Sequence, residues 1–557
     1  MTPVFSDNAL HILEQRYLAW IDGRQESVEE FIERVSMGNE EYRTKLIEPL
    51  NFLPNSPTLF SLDVPGGGTL SACFKFDVAD TMVDKSDVPS GIMDTSTKAA
   101  LVTKWGGGVG YYVGQLRPKG ALVNSTHGKA MGPVAVLRYY NALGSMLTQS
   151  GKRAAAQMGI LDCDHPDVRE FIHMKDHDPQ GLATFNISVA ISDAFMLKAT
   201  TLPESDEAKL LDEIAVSAWK TGDPGVFFYD RAERDNPTPW LGRLSGTNPC
   251  GEVPLLNNEA CNLGSINLRN MWDGNQGYDT ELLRRTTILA TRYLDDILDR
   301  NKFPVPAISA ATLNTRKLGL GVCGWADLLA LCKIPYASRD ALDMLGEILA
   351  LMRKVSDEES LRLGEERGRA PCFVDTKETP YRNATRLCIA PTGTIAILMG
   401  ASSGIEPHYL RTWTRTLGDG TILQERIPVA NEIGDFLPQT AMEIPWDWHV
   451  RHQAVAQQHV DLAVSKTVNL PNDATVEDIK ASYVKMWETG CKGGTVYRDG
   501  CRNEQVLNNI VEMYEDVEAY DVETQKQEQC PNCGAGIKYM EGCEYCIADC
   551  GWSACQV

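Results

Sequence analysis

Apolar and polar positions divide the chain into four stretches. Residues 1–60 carry helical patterning: Ser6 and Asp7 stand as caps ahead of ALHILEQRYLAW, and Ser27 with Glu30 forms a capping box that opens EEFIERVS. From 61 to 510, helical patterns such as DILDRN and ALDMLGEILALMRKVSDEESLRLGEE alternate with short apolar runs such as NISVAIS, KLGLGVCGW and RLCIA. That alternation predicts an α/β architecture with parallel strands. Residues 511–529 are polar and acidic with little core pattern, which predicts a flexible tether. Residues 530–557 form a cysteine-rich tail, and no internal repeat is visible.

A chain of 557 residues is long enough for a large core and more than one structural unit. Its net charge of −22 and isoelectric point near 4.9 exclude nucleic acid or an anionic membrane as a standing partner, because a phosphate-binding surface needs concentrated basic charge. No stretch reaches the roughly 18 uninterrupted apolar residues of a membrane span. The N-terminus lacks the order of a signal peptide, so a cytoplasmic location is expected. Sixteen cysteines are too small a share of this chain for a disulfide scaffold. Cys163, Cys323, Cys332, Cys372, Cys388, Cys491 and Cys501 belong to no motif and read as small buried hydrophobes.

Candidate chemistry concentrates in NPCGEVPLLNNEACNLGSINL, Asn248 to Leu268. If its first residues are extended, Asn248, Cys250 and Glu252 share a face, bringing together an amide, a thiol and a carboxylate. Such a set can position a small substrate, do thiol chemistry on it and move its protons. Ala390-Pro391-Thr392-Gly393-Thr394-Ile395 offers hydroxyls, approachable backbone N–H groups and a helix start, a set suited to phosphate. GGGVG at 106–110 fits neither a dinucleotide fingerprint nor a Walker sequence. In the tail, Cys530-x2-Cys533 and Cys543-x2-Cys546 have the spacing of a four-thiolate zinc ribbon. Two other classes compete: a non-catalytic zinc-ribbon interaction protein, and a thiol hydrolase, for which the nine histidines offer no evident base near Cys250.

The Asn248–Leu268 segment resembles the finger loop of ribonucleotide reductases. Five further stretches agree in order: NFLPNSPTLF, GGGTLSACFKF, KWGGGVGYYVGQLRPKGA, APTGTIAILMGASSGIEP and KGGTVYRDG. Within the family the pattern is most similar to the class II, adenosylcobalamin-dependent enzymes. The resemblance implies a ten-stranded α/β barrel of two five-stranded halves, with a central finger loop, a short helical N-terminal region and the cysteine-rich tail. It implies reduction of ribonucleotides to 2′-deoxyribonucleotides, with a thiyl radical on Cys250, Glu252 as general base, Asn248 holding the ribose hydroxyls and Cys73 with Cys261 as the reducing pair. A carboxylate in so dry a centre is expected to have a raised pKa.

The resemblance further assigns substrate contacts to Ser56, Ala72, the Cys73 backbone, Thr392, Gly393, Thr394 and Ile395. A deoxynucleotide or ATP effector falls to Asp80 and Arg117, and a specificity loop to Lys152, Arg153 and Gln157. Cys550 and Cys555 become a redox shuttle for a thioredoxin- or glutaredoxin-type reductant, leaving Cys530, Cys533, Cys543 and Cys546 for structural zinc. Cys546 and Cys550 are three residues apart where related tails have two, so Cys550 as ligand and Cys543 as shuttle stays open. A homodimer is implied, and the short N-terminal region leaves no room for the ATP cone that switches some reductases on and off. A class I large subunit would show a tyrosine pair where this chain has only Tyr497. A glycyl-radical site near the C-terminus is missing too, so adenosylcobalamin is favoured by these absences and by the resemblance of KGGTVYRDG, with class I the alternative; the missing DxHxxG motif fits a base-on cofactor. Diphosphate is the expected substrate, with triphosphate open.

Overall fold

A computed structural model describes residues 5–149, 153–176, 182, 184–374, 380–416 and 422–501, with short strands at 507–509, 537–540, 543–546 and 553–555. Residues 1–506 form one compact unit and 507–557 a second.

In the first unit, β1 (Cys73–Asp77), β2 (Gly108–Tyr112), β3 (Gln157–Asp162), β4 (Phe185–Ile191) and β5 (Gly225–Phe228) lie side by side, all parallel. Parallel neighbours need long crossovers, here built on helices such as Ile92–Lys104, Gly132–Met146 and Asp206–Thr221. A second parallel set contains β6 (Ala260–Asn267), β7 (Leu318–Cys323), β8 (Thr467–Leu470) and β9 (Gly493–Arg498). Between β7 and β8 runs residues 386–390, joined by parallel bridges Leu320 to Leu387 and Ile389 to Val464. The two sets meet antiparallel at both seams, β1 against β6 and β5 against β9. The ring therefore closes as the expected barrel, with RLCIA reduced to single-residue bridges. The reason is local: the amides of Arg386 and Leu387 both donate to the partly buried Asp461 carboxylate, at 2.9 and 3.0 Å, instead of to a neighbouring strand.

Alternation along each strand separates inside from outside. Phe74, Phe76, Val109, Tyr111 and Leu161 face outward into a core shared with the helices. Tyr112, Met158 and Ile160 face inward, where they pack on Leu244 and Leu256. Cys73, Cys261, Cys388 and Leu263 form a second inner cluster with Val253 and Leu255. Those partners are the legs of an antiparallel hairpin, Gly246–Thr247 against Pro254–Leu255, so a finger occupies the barrel's interior.

The N-terminal expectations hold in part. Ser6 caps a helix and the Ser27–Glu30 capping box is complete. The first helix, however, spans only Asp7–Ile12 and widens into a π-turn at Leu13–Tyr17, and Trp20–Ile21 pairs with Arg24–Gln25 across an Asp22-Gly23 turn. Asp-Gly between pairing residues is a strong hairpin signal and stops the helix short of Trp20. In the second unit, Ile537–Met540, Cys543–Cys546 and Ser553–Cys555 make an antiparallel sheet in which Cys543 stands opposite Cys555. Cys530, Cys533, Cys550 and the tether 511–529 lie outside the described residues. Among the described residues, no helix is long and apolar enough to cross a membrane.

Candidate active site

The finger's apex is a turn, not the extended run expected from N-x-C-x-E. Gly251 donates to the Asn248 carbonyl at 3.2 Å and has φ +81°, a value that favours glycine. The Val253 amide closes the loop on Asn248 Oδ1 at 3.0 Å. Consequently Cys250 is exposed at the apex, while Asn248 and Glu252 are folded back and buried. The residues still converge, through the turn rather than through strand alternation.

They converge on Cys73. Asn248 Nδ2 donates to Cys73 Sγ at 3.0 Å, and the thiol in turn lies 3.9 Å from Glu252 Oε1. Cys73 stands directly opposite Cys261 in the antiparallel β1–β6 seam. Opposed residues in such a pair have α-carbons about 4.5–5.5 Å apart, inside the roughly 4.4–6.8 Å window of a disulfide. Both are unbridged thiols. Burial pushes the Cys73 thiol well up, helped by the Glu252 carboxylate, and burial also raises Cys261 although Lys317 opposes it. Neither ionises readily.

Gly110 explains the glycine run that matched no nucleotide motif. A Cβ there would sit 1.8 Å from the Thr247 carbonyl oxygen, so the strand must be bare where the finger crosses it. The sequence signal was present, but its cause lies on another element.

Other expected residues divide. Thr392 has φ +57° and its hydroxyl accepts from Gly404 N at 2.7 Å; Gly393 and Thr394 lead into one helical turn, Ile395–Leu398. Ser56 opens the helix Ser56–Ser61, its hydroxyl 2.8 Å from Tyr17 Oη, and the Ala72 carbonyl accepts from Gly108 N at 2.8 Å. Asp80 and Arg117 face each other in a half-exposed ion pair at 2.7 Å. Lys152 lies outside the described residues, and Arg153 belongs to a short hairpin with Gln149. Gln157 points out of the barrel, where its amide bonds Tyr111, the Tyr140 carbonyl and Thr184 at 2.8, 3.2 and 2.9 Å. The motif-free cysteines are buried except Cys501, which is intermediate. Cys388 packs beside the reducing pair: its sulfur lies 2.8 Å, and that of Cys261 3.6 Å, from the point a Gly319 Cβ would take.

The family model "Ribonucleotide reductase, barrel domain" matches residues 71–201, 198–381 and 373–497. The chain belongs to the ribonucleotide reductase family. It is 38% identical to the vitamin B12-dependent ribonucleoside-diphosphate reductase of Mycobacterium tuberculosis H37Rv, over 90% of this chain and 78% of that protein. A like-named protein of Thermoplasma acidophilum is also 38% identical, over 87% of this chain and 69% of its own. Among solved structures, the alpha subunit of the class Id reductase of Actinobacillus ureae has a TM-score of 0.73 at 19% identity, covering 89% of this chain and 97% of that one. That likeness supports the reductase barrel as the fold.

Proposed function

We propose that this chain reduces ribonucleoside diphosphates to 2′-deoxyribonucleotides, the precursors of DNA, as an adenosylcobalamin-dependent enzyme. The observation that carries the reading is the grouping of an exposed thiol, Cys250, with a buried thiol pair, Cys73 and Cys261, around Asn248 and Glu252. The vitamin B12-dependent relatives carry the cofactor assignment. An exposed apex thiol fits an initiator arriving from outside the chain; adenosylcobalamin would supply there the radical that converts Cys250 to a thiyl.

The thiyl takes the hydrogen atom from C3′ of the ribose, and Glu252 takes the proton of the 3′-hydroxyl. The 2′-hydroxyl leaves as water with a proton drawn from the reducing thiols. C2′ takes the second thiol hydrogen and the remaining electron reduces the 3′ carbon, so that Cys73 and Cys261 have given up two electrons and two protons and become a disulfide; Glu252 returns its proton to the 3′-oxygen and Cys250 returns the hydrogen atom to C3′. The Asn248–Cys73–Glu252 contacts support this order, because they put a carboxylate within reach of the thiol whose proton must move. Asn248 is held by the turn and by Cys73, an arrangement that supports a positioning role.

The Thr392–Thr394 turn is assigned to the diphosphate, with Ser56 and the Ala72–Cys73 backbone opposite. Asp80 and Arg117 are assigned to an effector nucleotide, which has to open their ion pair. Homodimerisation, a dithiol protein reductant acting through Cys550 and Cys555, zinc on Cys530, Cys533, Cys543 and Cys546, and a cytoplasmic location complete the proposal. Residues 1–60 as lead-in, 61–510 as barrel, 511–529 as tether and 530–557 as tail are the proposed division of the chain, the lead-in sharing the barrel's compact unit. The test is turnover of CDP with ATP or dATP, a small dithiol and no second protein, with and without adenosylcobalamin. Cofactor-dependent dCDP is expected; activity only after adding a metal-containing partner subunit would establish the class I alternative.

A further inference from the structure

Strand β1 carries three inward positions, Cys73, Lys75 and Asp77, and only the first belongs to the chemistry above. Lys75 is fully buried, and its ammonium contacts both the Asp77 carboxylate and the Ser245 hydroxyl. Ser245 Oγ also donates to Asp77 Oδ1 at 2.7 Å, and Ser245 immediately precedes the outgoing leg of the finger. The returning leg is tied to the same two residues: Asp77 N donates to Asn257 Oδ1 at 2.9 Å, and Asn258 N to the Lys75 carbonyl at 3.0 Å. The Lys75 amide then reaches the Glu259 carbonyl at 3.2 Å. Glu259 is itself buried and held by Lys317 at 2.6 Å and Thr315 at 2.7 Å.

We propose that Lys75, Asp77 and Ser245 are positioning residues: a clamp that grips both legs of the finger on the strand carrying Cys73, and so fixes the height of Cys250 over the reducing pair. Burying an ammonium is costly, and an apolar residue would fill the space at less expense, so the pair is better understood as setting geometry than as adding stability. The finger's apex is also tied to the barrel, by Asn248 Nδ2 to Cys73 Sγ at 3.0 Å, Cys73 Sγ to Glu252 Oε1 at 3.9 Å, Asn186 Nδ2 to the Pro249 carbonyl at 3.0 Å and Ala463 N to the Glu252 carbonyl at 2.8 Å. The stem sets the frame in which those apex contacts form, and displacement of the thiol by about an ångström costs on the order of 10²-fold in rate.

The clamp rests on the reading of Cys250, Cys73 and Cys261 given above, so the experiment separates the two. Hydrogen exchange is measured on the full chain without cofactor for the parent, Ser245→Ala, Ser245→Thr and Lys75→Met. Faster exchange confined to 246–255 is expected in Ser245→Ala and Lys75→Met, and parental exchange in Ser245→Thr, which keeps the hydroxyl. With adenosylcobalamin and CDP, the same two variants should yield less dCDP per cofactor consumed, with KM for CDP unchanged and kcat down about 10²-fold in Lys75→Met. Parental exchange in the finger, or a rise spread evenly over the barrel, would overturn the clamp. A parent chain that makes no dCDP would overturn the function while the exchange data still judge the clamp.

Discussion

The finger's apex and the β1–β6 seam hold the same functional group in opposite surroundings. Cys250 is exposed, whereas Cys73 is 2% and Cys261 0% accessible, and burial holds both of the latter in the protonated form. A thiol that must meet an initiator from outside has to be reachable. A pair that must give its electrons only to a substrate inside has to be sealed, and sealing it also bars a protein reductant. Two environments for one side chain thus fit the proposed division into a radical site at Cys250 and a reducing pair at Cys73 and Cys261, and the proposed shuttle on Cys550 and Cys555.

The largest expected effect comes from removing the exposed thiol. Cys250→Ser should drop dCDP formation to background while nucleotide binding, followed by calorimetry, is retained, because the serine O–H bond is too strong to yield the radical. Next come the tail variants Cys550→Ser and Cys555→Ser, which should stop after about one turnover with a protein reductant yet continue with a small dithiol able to enter the barrel. Sustained turnover with the protein reductant in both variants would place the shuttle elsewhere, with Cys543 the next candidate. Glu252→Gln keeps shape and loses the base, so kcat should fall by roughly 10²–10⁴-fold. A parental rate would remove Glu252 from the proton path.

Much of this contrast was legible in residue order, and what escaped depended on other elements. The capping box at Ser27 and Glu30 is a local device and could be read directly. The grouping of Asn248 with Glu252 was visible, but the turn that exposes Cys250 was not, since Gly251 does not reveal its φ in sequence. Cys73 and Cys261 are linked only by strand register, which the resemblance implied and no spacing could show. The resemblance implies a specificity loop that includes Gln157, whereas Gln157 heads β3 and its side chain turns outward. Lys75 carries no signal in sequence, because its partners Asp77 and Ser245 meet it only through the strand's pleat and the finger's return into the barrel.

The smallest effect concerns Cys388, whose thiol is raised well above its ordinary pKa by burial and by the nearby Glu252 carboxylate. A thiol that titrates higher when folded leaves stability unaffected below the unfolded pKa, about 8.5, and subtracts from it as pH rises beyond, by at most about 1.4 kcal/mol per pH unit. Cys388→Val should therefore flatten the fall in urea midpoint between pH 8 and pH 10 relative to the parent. An unchanged slope would show that this thiol is not held protonated.

The most direct measurement is disulfide mapping by mass spectrometry after a single turnover of pre-reduced enzyme with adenosylcobalamin and CDP, without reductant. One Cys73–Cys261 disulfide per dCDP is predicted, with Cys250 recovered as a thiol. A disulfide that includes Cys250, or dCDP formed without the Cys73–Cys261 bond, would contradict the division between exposed and sealed thiols.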